Sequence, residues 1–137
     1  KEEAIERGVA ANLTAIEAAE LVAIYGSNVD ILFEIAAKSN PDEMQGLPMN
    51  LYVKLVYGLM YEAVMTPSDF LIRRTGMLYF NIAELRQYQV SVVKFMARYF
   101  GWTVDHISQY NAELEQALFV ATHFVEDEGV VKLVQID

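Results

Sequence analysis

The sequence contains no cysteine. This absence excludes a disulfide framework, a thiolate nucleophile and a cysteine-ligated metal site, and it is compatible with a reducing cytoplasm. Three prolines and seven glycines leave few turns. Basic residues are also scarce, since 10 Lys and Arg stand against 19 Asp and Glu, for a net charge of −9. Because nucleic acids and anionic lipid surfaces both attract basic proteins, this balance argues against either as a partner.

The chain is rich in apolar residues at helical spacing. Its 137 residues fit one domain, and a hydrophobic content of 54% is enough for a real core. The chain begins at Lys1 without a methionine, and no apolar signal-peptide region follows. We interpret it as a fragment of a longer protein, so part of its function is expected to lie outside the segment.

Hydrophobic periodicity predicts an all-α fold, a single bundle of five or six helices joined by short loops. Residues 1–13 are charged and rich in alanine, and we expect a linker or a frayed helix there. Residues 14–128 form the predicted helical domain, and residues 129–137 form a tail. The predicted helix starts are marked by capping residues, namely Thr14, Ser27, Thr66, Asn81 and Thr103.

The segment from Asn50 to Val64 is predicted to be a central helix, apolar on all sides and buried by its neighbours. A membrane span is the alternative. The segment is shorter than the roughly 20 residues that a bilayer requires, and Lys54 and Glu62 interrupt it. The sequence therefore predicts no membrane span.

Four charged residues stand out because they lie in or beside this apolar region: Glu62, Asp69, Arg73 and Arg74. Charges among apolar residues are costly unless they are paired. Asp69 and Arg73 are four residues apart, the spacing of an ion pair on a helix. We expect a buried ion network that joins two helices. The alternatives are an arginine that faces a neighbouring domain or a substrate phosphate, and charges that are solvated on the surface.

No other pattern indicates catalysis or cofactor binding. A G-x-G-x-x-G motif and a Walker loop are both absent. His106 and His123 are too far apart in the sequence to share a helical turn, so no metal site is predicted. Several apolar residues at helical spacing are interpreted as core fillers rather than as part of a cofactor site, namely Met60, Met65, Met77, Phe95 and Met96.

Three segments carry a family resemblance: Ile24 to Val29, Thr66 to Ile82 and Ala97 to Trp102. In this order they resemble the C-terminal helical domain of FAD-dependent glycerol-3-phosphate dehydrogenases and alpha-glycerophosphate oxidases. The resemblance implies a parent flavoprotein that oxidises sn-glycerol 3-phosphate to dihydroxyacetone phosphate. In that family the flavin and substrate sites lie in the preceding domains, and the helical domain is a cap.

The resemblance thus implies FAD in the parent, and no catalytic, cofactor-binding or metal-binding residue in this segment. The implied partners are the upstream flavin and substrate domains of the same chain. The implied location is the cytoplasm, with peripheral attachment to the inner face of the membrane through the parent. An apolar group around Tyr79 and Phe80 is a candidate surface for a homo-oligomer.

Two other interpretations stay open from the residues alone. The first is a free-standing helical protein-interaction domain with no enzymatic parent. The second is the ligand-binding half of a helical regulator. A dinucleotide-binding motif upstream of Lys1 would favour the flavoenzyme, and a gene that begins near Lys1 would favour the interaction domain.

Overall fold

The computed structural model describes residues 1–75 and 81–127, with side chains up to residue 121. Within these ranges the regular elements are helical and no strand occurs, so the predicted all-α class is confirmed. The six α-helices of the described ranges are α1 (Glu2–Ala10), α2 (Ala15–Tyr25), α3 (Val29–Ala37), α4 (Met49–Tyr61), α5 (Ile82–Phe100) and α6 (Val104–Asp127). A π-helical segment, Asp69–Arg74, lies between α4 and α5.

The chain divides into two compact units, Lys1–Ala63 and Val64–Asp137. The sequence predicted one bundle, and the division adds a boundary that the hydrophobic pattern did not indicate. Helices α1 to α4 form the first unit. The π segment, α5 and α6 belong to the second.

Helix α1 is an integral part of the first unit. Gly8 is buried, and a Cβ atom at this position would lie 2.5 Å from the Cβ of Ala18 and 2.9 Å from the ring of Phe33. Only glycine lets α1 approach α2 and α3 so closely. An ion pair at 2.8 Å between Arg7 and Asp30 also joins α1 to α3. The prediction of a linker or frayed helix over 1–13 did not include this packing.

Helix α2 begins with the predicted capping box. The Thr14 hydroxyl accepts a hydrogen bond from the backbone N–H of Glu17 at 3.0 Å, and the Glu17 carboxylate accepts one from the Thr14 N–H at 2.9 Å. The predicted cap at Ser27 is wrong. Ser27 lies inside a 3-10 turn, Gly26–Asn28, and α3 begins after it with no side-chain cap. The turn bends the chain directly from α2 into α3, so α3 does not need a separate cap.

The core of the first unit is formed by α2, α3 and α4. Helix α3 contributes four buried residues to this core, namely Val29, Leu32, Phe33 and Ala36. Helix α4 is less uniformly buried than predicted. Its middle is buried, but it ends at Tyr61, where the last two residues are exposed.

In the second unit, α5 and α6 begin at the predicted caps. The Asn81 side chain accepts a hydrogen bond from the Glu84 N–H at 2.9 Å. Gly101 ends α5 in the left-handed conformation, with a φ of 71° that favours glycine. The Thr103 hydroxyl accepts from the His106 N–H at 3.2 Å at the start of α6. The two hydrogen bonds confirm the predicted caps at Asn81 and Thr103.

An ion pair holds α5 against α6. Arg86 donates to both carboxylate oxygens of Glu115 at 2.8 Å, and the Gln89 amide donates to the same group at 2.8 Å. These hydrogen bonds, that of Arg86 first, lower the pKa of Glu115 below its ordinary value. Both charged side chains are about half exposed, so the pair is expected to contribute only about 0.2–1 kcal/mol.

Some sequence predictions fall outside the described residues. These are the core position of Met77, the apolar group around Tyr79 and Phe80, and the tail over 129–137. Among the residues that are described, no helix has the length and apolar character of a membrane span.

Candidate functional site

The four charged residues predicted as a network belong to different parts of the chain. Glu62 directly follows α4 in the first unit and is half-buried. Asp69, Arg73 and Arg74 all lie in the π segment of the second unit. The pairing of Glu62 with an arginine stays a prediction.

Asp69 caps the turn that leads into the π segment. Its carboxylate accepts hydrogen bonds from the backbone N–H groups of Met65 and Thr66, both at 3.2 Å. Its own N–H donates to the Thr66 hydroxyl at 3.1 Å. This is a reciprocal capping arrangement. Within the described ranges Asp69 makes no ion pair with Arg73, because the carboxylate is directed at the backbone instead.

The backbone of this segment is wider than an α-helix. The N–H of Thr75 donates to the carbonyl of Phe70 at 3.0 Å, which is an i to i+5 bond. The Thr75 hydroxyl donates to the carbonyl of Leu71 at 2.6 Å. Such turns are rare and frequently occur at functional sites. The expected pairing of Asp69 with Arg73 assumed about 3.6 residues per turn. The π turn is wider, so residues four apart are no longer one turn apart.

The π segment is anchored by apolar residues and presents its arginines on the outside. Phe70 is 1% exposed and Leu71 is fully buried, whereas Arg73 and Arg74 are exposed. The expected burial of both arginines is therefore wrong within this chain. Arginine side chains are suited to binding carboxylates and phosphates because their planar fork donates two parallel hydrogen bonds.

The part of the chain with described side chains contains no group of three His, Cys, Asp or Glu side chains arranged to hold a metal ion. His106 lies exposed in the first turn of α6, with its ring 6.4 Å from that of Tyr110. His123 lies beyond the described side chains.

Sequence reasoning missed one feature of the first unit. Tyr25, Tyr57 and Tyr61 form a chain of ring contacts, with centroids 5.2 Å and 5.1 Å apart. Met60, which the sequence interpretation placed in the core, is 54% exposed beside it. The spacing of Tyr57 and Tyr61, one helical turn apart, was the available signal.

Taken together, these observations define a small all-α domain with capped helices, an apolar core and exposed arginines. A family model described as the C-terminal domain of alpha-glycerophosphate oxidase matches residues 2–107. The chain belongs to this family, and the resemblance noted in the sequence is confirmed.

Similar proteins are considerably longer than this chain. An aerobic glycerol-3-phosphate dehydrogenase of Staphylococcus haemolyticus (strain JCSC1435) is 41% identical over 131 residues, which are 96% of this chain and 23% of that protein. The enzyme of the same name from Staphylococcus aureus (strain MRSA252) is 42% identical over 106 residues, 77% of this chain and 19% of that protein.

A solved structure also matches this chain over part of a longer protein. The X-ray structure of the glycerol-3-phosphate dehydrogenase from Bacillus halodurans, complexed with FAD, matches with a TM-score of 0.80 and 39% identity. The match covers 85% of this chain and 24% of that one. The chain therefore spans about a quarter or less of the length of these relatives.

Proposed function

We propose that this chain is the non-catalytic C-terminal helical domain of an FAD-dependent enzyme that oxidises sn-glycerol 3-phosphate to dihydroxyacetone phosphate. The observation that carries the proposal is the 41% identity to an aerobic glycerol-3-phosphate dehydrogenase over 96% of the chain. The free-standing interaction domain is the alternative. It is less well supported, because the relatives contain this domain within a much longer chain.

The domain is proposed to be a cap and not a catalytic unit. None of its seven glycines forms the G-x-G-x-x-G motif that would hold a dinucleotide phosphate at a helix N-terminus. Flavin and substrate are therefore assigned to the preceding part of the polypeptide. The proposed enzyme is cytoplasmic and works at the inner face of the membrane when a quinone is its electron acceptor.

Within this proposal, Arg73 and Arg74 contact the preceding part of the polypeptide. Three features support this role: the arginines are exposed, the buried Phe70 anchors their turn, and the Asp69 cap fixes its start. Glu62 is proposed to contribute to the same charged network. Arginine is favoured at such contacts because its planar fork binds carboxylates through two parallel hydrogen bonds.

The function is tested with the full-length protein that contains this segment. We expect it to purify with bound FAD and to reduce an artificial electron acceptor when sn-glycerol 3-phosphate is added. Absorbance of the released flavin and the rate of acceptor reduction are the two measurements. A full-length protein without flavin and without this activity would favour the free-standing interaction domain.

The arginine contact is tested by the double variant Arg73→Ala/Arg74→Ala in the same full-length protein. We expect its thermal unfolding midpoint and its flavin retention to fall, because a charged contact between domains is lost. The matched control is Lys94→Ala/Arg98→Ala, which removes two exposed basic residues from α5 of the same unit. Equal effects of the two double variants would contradict the contact.

A further inference from the structure

A patch of exposed apolar side chains lies where α2 and α4 end. Ile24 is 57% exposed, Met60 is 54% exposed and Tyr61 is 56% exposed. With the half-buried Tyr25, these residues form what we call the tyrosine–methionine patch. Isolated exposed apolar residues are ordinary on protein surfaces. Here large ones stand at two helix ends that ring contacts of Tyr25 and Tyr61 with Tyr57 bring together, which indicates an interaction surface.

The patch is held in place by the core beneath it. Tyr57 is 7% exposed. Its ring contacts that of Tyr25 edge-on, with a centroid distance of 5.2 Å and an interplanar angle of 70°. It also contacts the ring of Tyr61 at a centroid distance of 5.1 Å. One buried tyrosine thus fixes aromatic side chains from both helices. A surface that is already ordered loses less conformational entropy on binding, which favours its use as a docking surface.

Polar groups border the patch on one side. One turn before Ile24, Glu20 accepts a hydrogen bond from Lys54 of α4 at 2.9 Å. The Lys54 side chain is only 16% exposed, so its stem packs along the surface while its charge is paired. An uncharged centre of tyrosine and methionine beside a polar rim is the usual composition of a protein interface.

We propose that the tyrosine–methionine patch is the surface by which this domain docks on the preceding part of its own polypeptide. The inference rests on the proposed function. Two observations identify what covers the patch. About three-quarters of the length of each relative lies outside the region that matches this chain, and the matching family model is that of a C-terminal domain. The patch therefore covers an apolar surface of the same molecule.

The test exploits the absence of cysteine from this segment. Single cysteines are introduced into the full-length holoenzyme as Ile24→Cys and Met60→Cys. The matched control is Ile16→Cys, because Ile16 lies on the same helix as Ile24 and is 82% exposed. N-ethylmaleimide labelling of the native protein is followed peptide by peptide with mass spectrometry, so cysteines elsewhere in the protein do not interfere.

We expect the cysteines at positions 24 and 60 to be labelled at least about tenfold more slowly than the cysteine at position 16. A tenfold ratio corresponds to a closed interface that is favoured over the open one by about 1.4 kcal/mol. Equal labelling in a holoenzyme that retains FAD and activity overturns the patch and leaves the proposed function intact. Protection that disappears on dilution, as a dimer dissociates, assigns the patch to a second copy and also overturns the proposal. Loss of the proposed function is recognised separately, because the full-length protein then lacks flavin and activity.

Discussion

Replacing Phe70 with alanine is expected to lower the free energy of unfolding of the second unit by roughly 3–5 kcal/mol. Phe70 is 1% exposed and is the largest fully buried side chain described. Its removal would leave a cavity beneath the π segment. The Asp69 cap is made of a few partly exposed hydrogen bonds, and such bonds contribute only about 1 kcal/mol each. The cap alone is therefore not expected to hold the turn.

The measurement for Phe70→Ala is urea denaturation followed by the fluorescence of Trp102. This is the only tryptophan of the chain, and it belongs to the second unit. Its ring stacks on Phe100 and contacts Tyr110, at centroid distances of 5.5 Å and 4.4 Å, so unfolding changes its environment. The control is Phe119→Ala, because Phe119 is 54% exposed. A loss of stability for Phe119→Ala as large as that for Phe70→Ala would contradict the assigned anchoring role.

Replacing Gly8 with leucine is expected to destabilise the first unit by about 3 kcal/mol or more, at or beyond the upper end of ordinary overpacking effects. The first added carbon would already lie 2.5 Å from the Cβ of Ala18. That atom is fixed to the backbone of α2 and cannot rotate away. Helix α1 would therefore have to move off α2 and α3. Urea denaturation followed by far-UV circular dichroism measures the loss.

Two further variants separate this clash from a general effect on α1. Ala10→Leu introduces the same side chain at an exposed position of the helix, and we expect a change within about 0.5 kcal/mol. The double variant Gly8→Ala/Ala18→Gly exchanges the Cβ atom between the two helices. It should be more stable than the sum of its single changes predicts, since the clashing pair is removed. Simple additivity would show that Gly8 is not limited by its contact with Ala18.

The features that the sequence predicted well are local ones. The caps at Thr14, Thr66, Asn81 and Thr103 involve residues within one turn, so their geometry follows from spacing alone. Ser27 has the same cap signal but lies in a turn that already joins two helices. The chain could form a side-chain cap at Ser27 or a 3-10 turn there. The choice depends on how α2 and α3 pack, which residue spacing does not reveal.

The features that the sequence did not predict depend on tertiary packing. Met60 was expected in the core, yet it is exposed at the end of α4, because helical periodicity does not tell where a neighbouring helix stops. Arg73 and Arg74 were expected to be buried because apolar residues surround them in the sequence. A side chain in an apolar segment can still point outward, and the π segment buries Phe70 and Leu71 instead.

The order in which the helices of the first unit pack has a kinetic consequence. Helix α1 contacts α2, α2 contacts α3, and α3 contacts α4, with α1 against α3 as a further pairing. Each contact thus closes only a short loop of chain, which keeps the entropic cost of reaching it small. Proteins dominated by such local contacts fold in microseconds to milliseconds. The first unit is therefore expected to acquire its structure quickly, and the tyrosine–methionine patch would be in position before any slower assembly step begins.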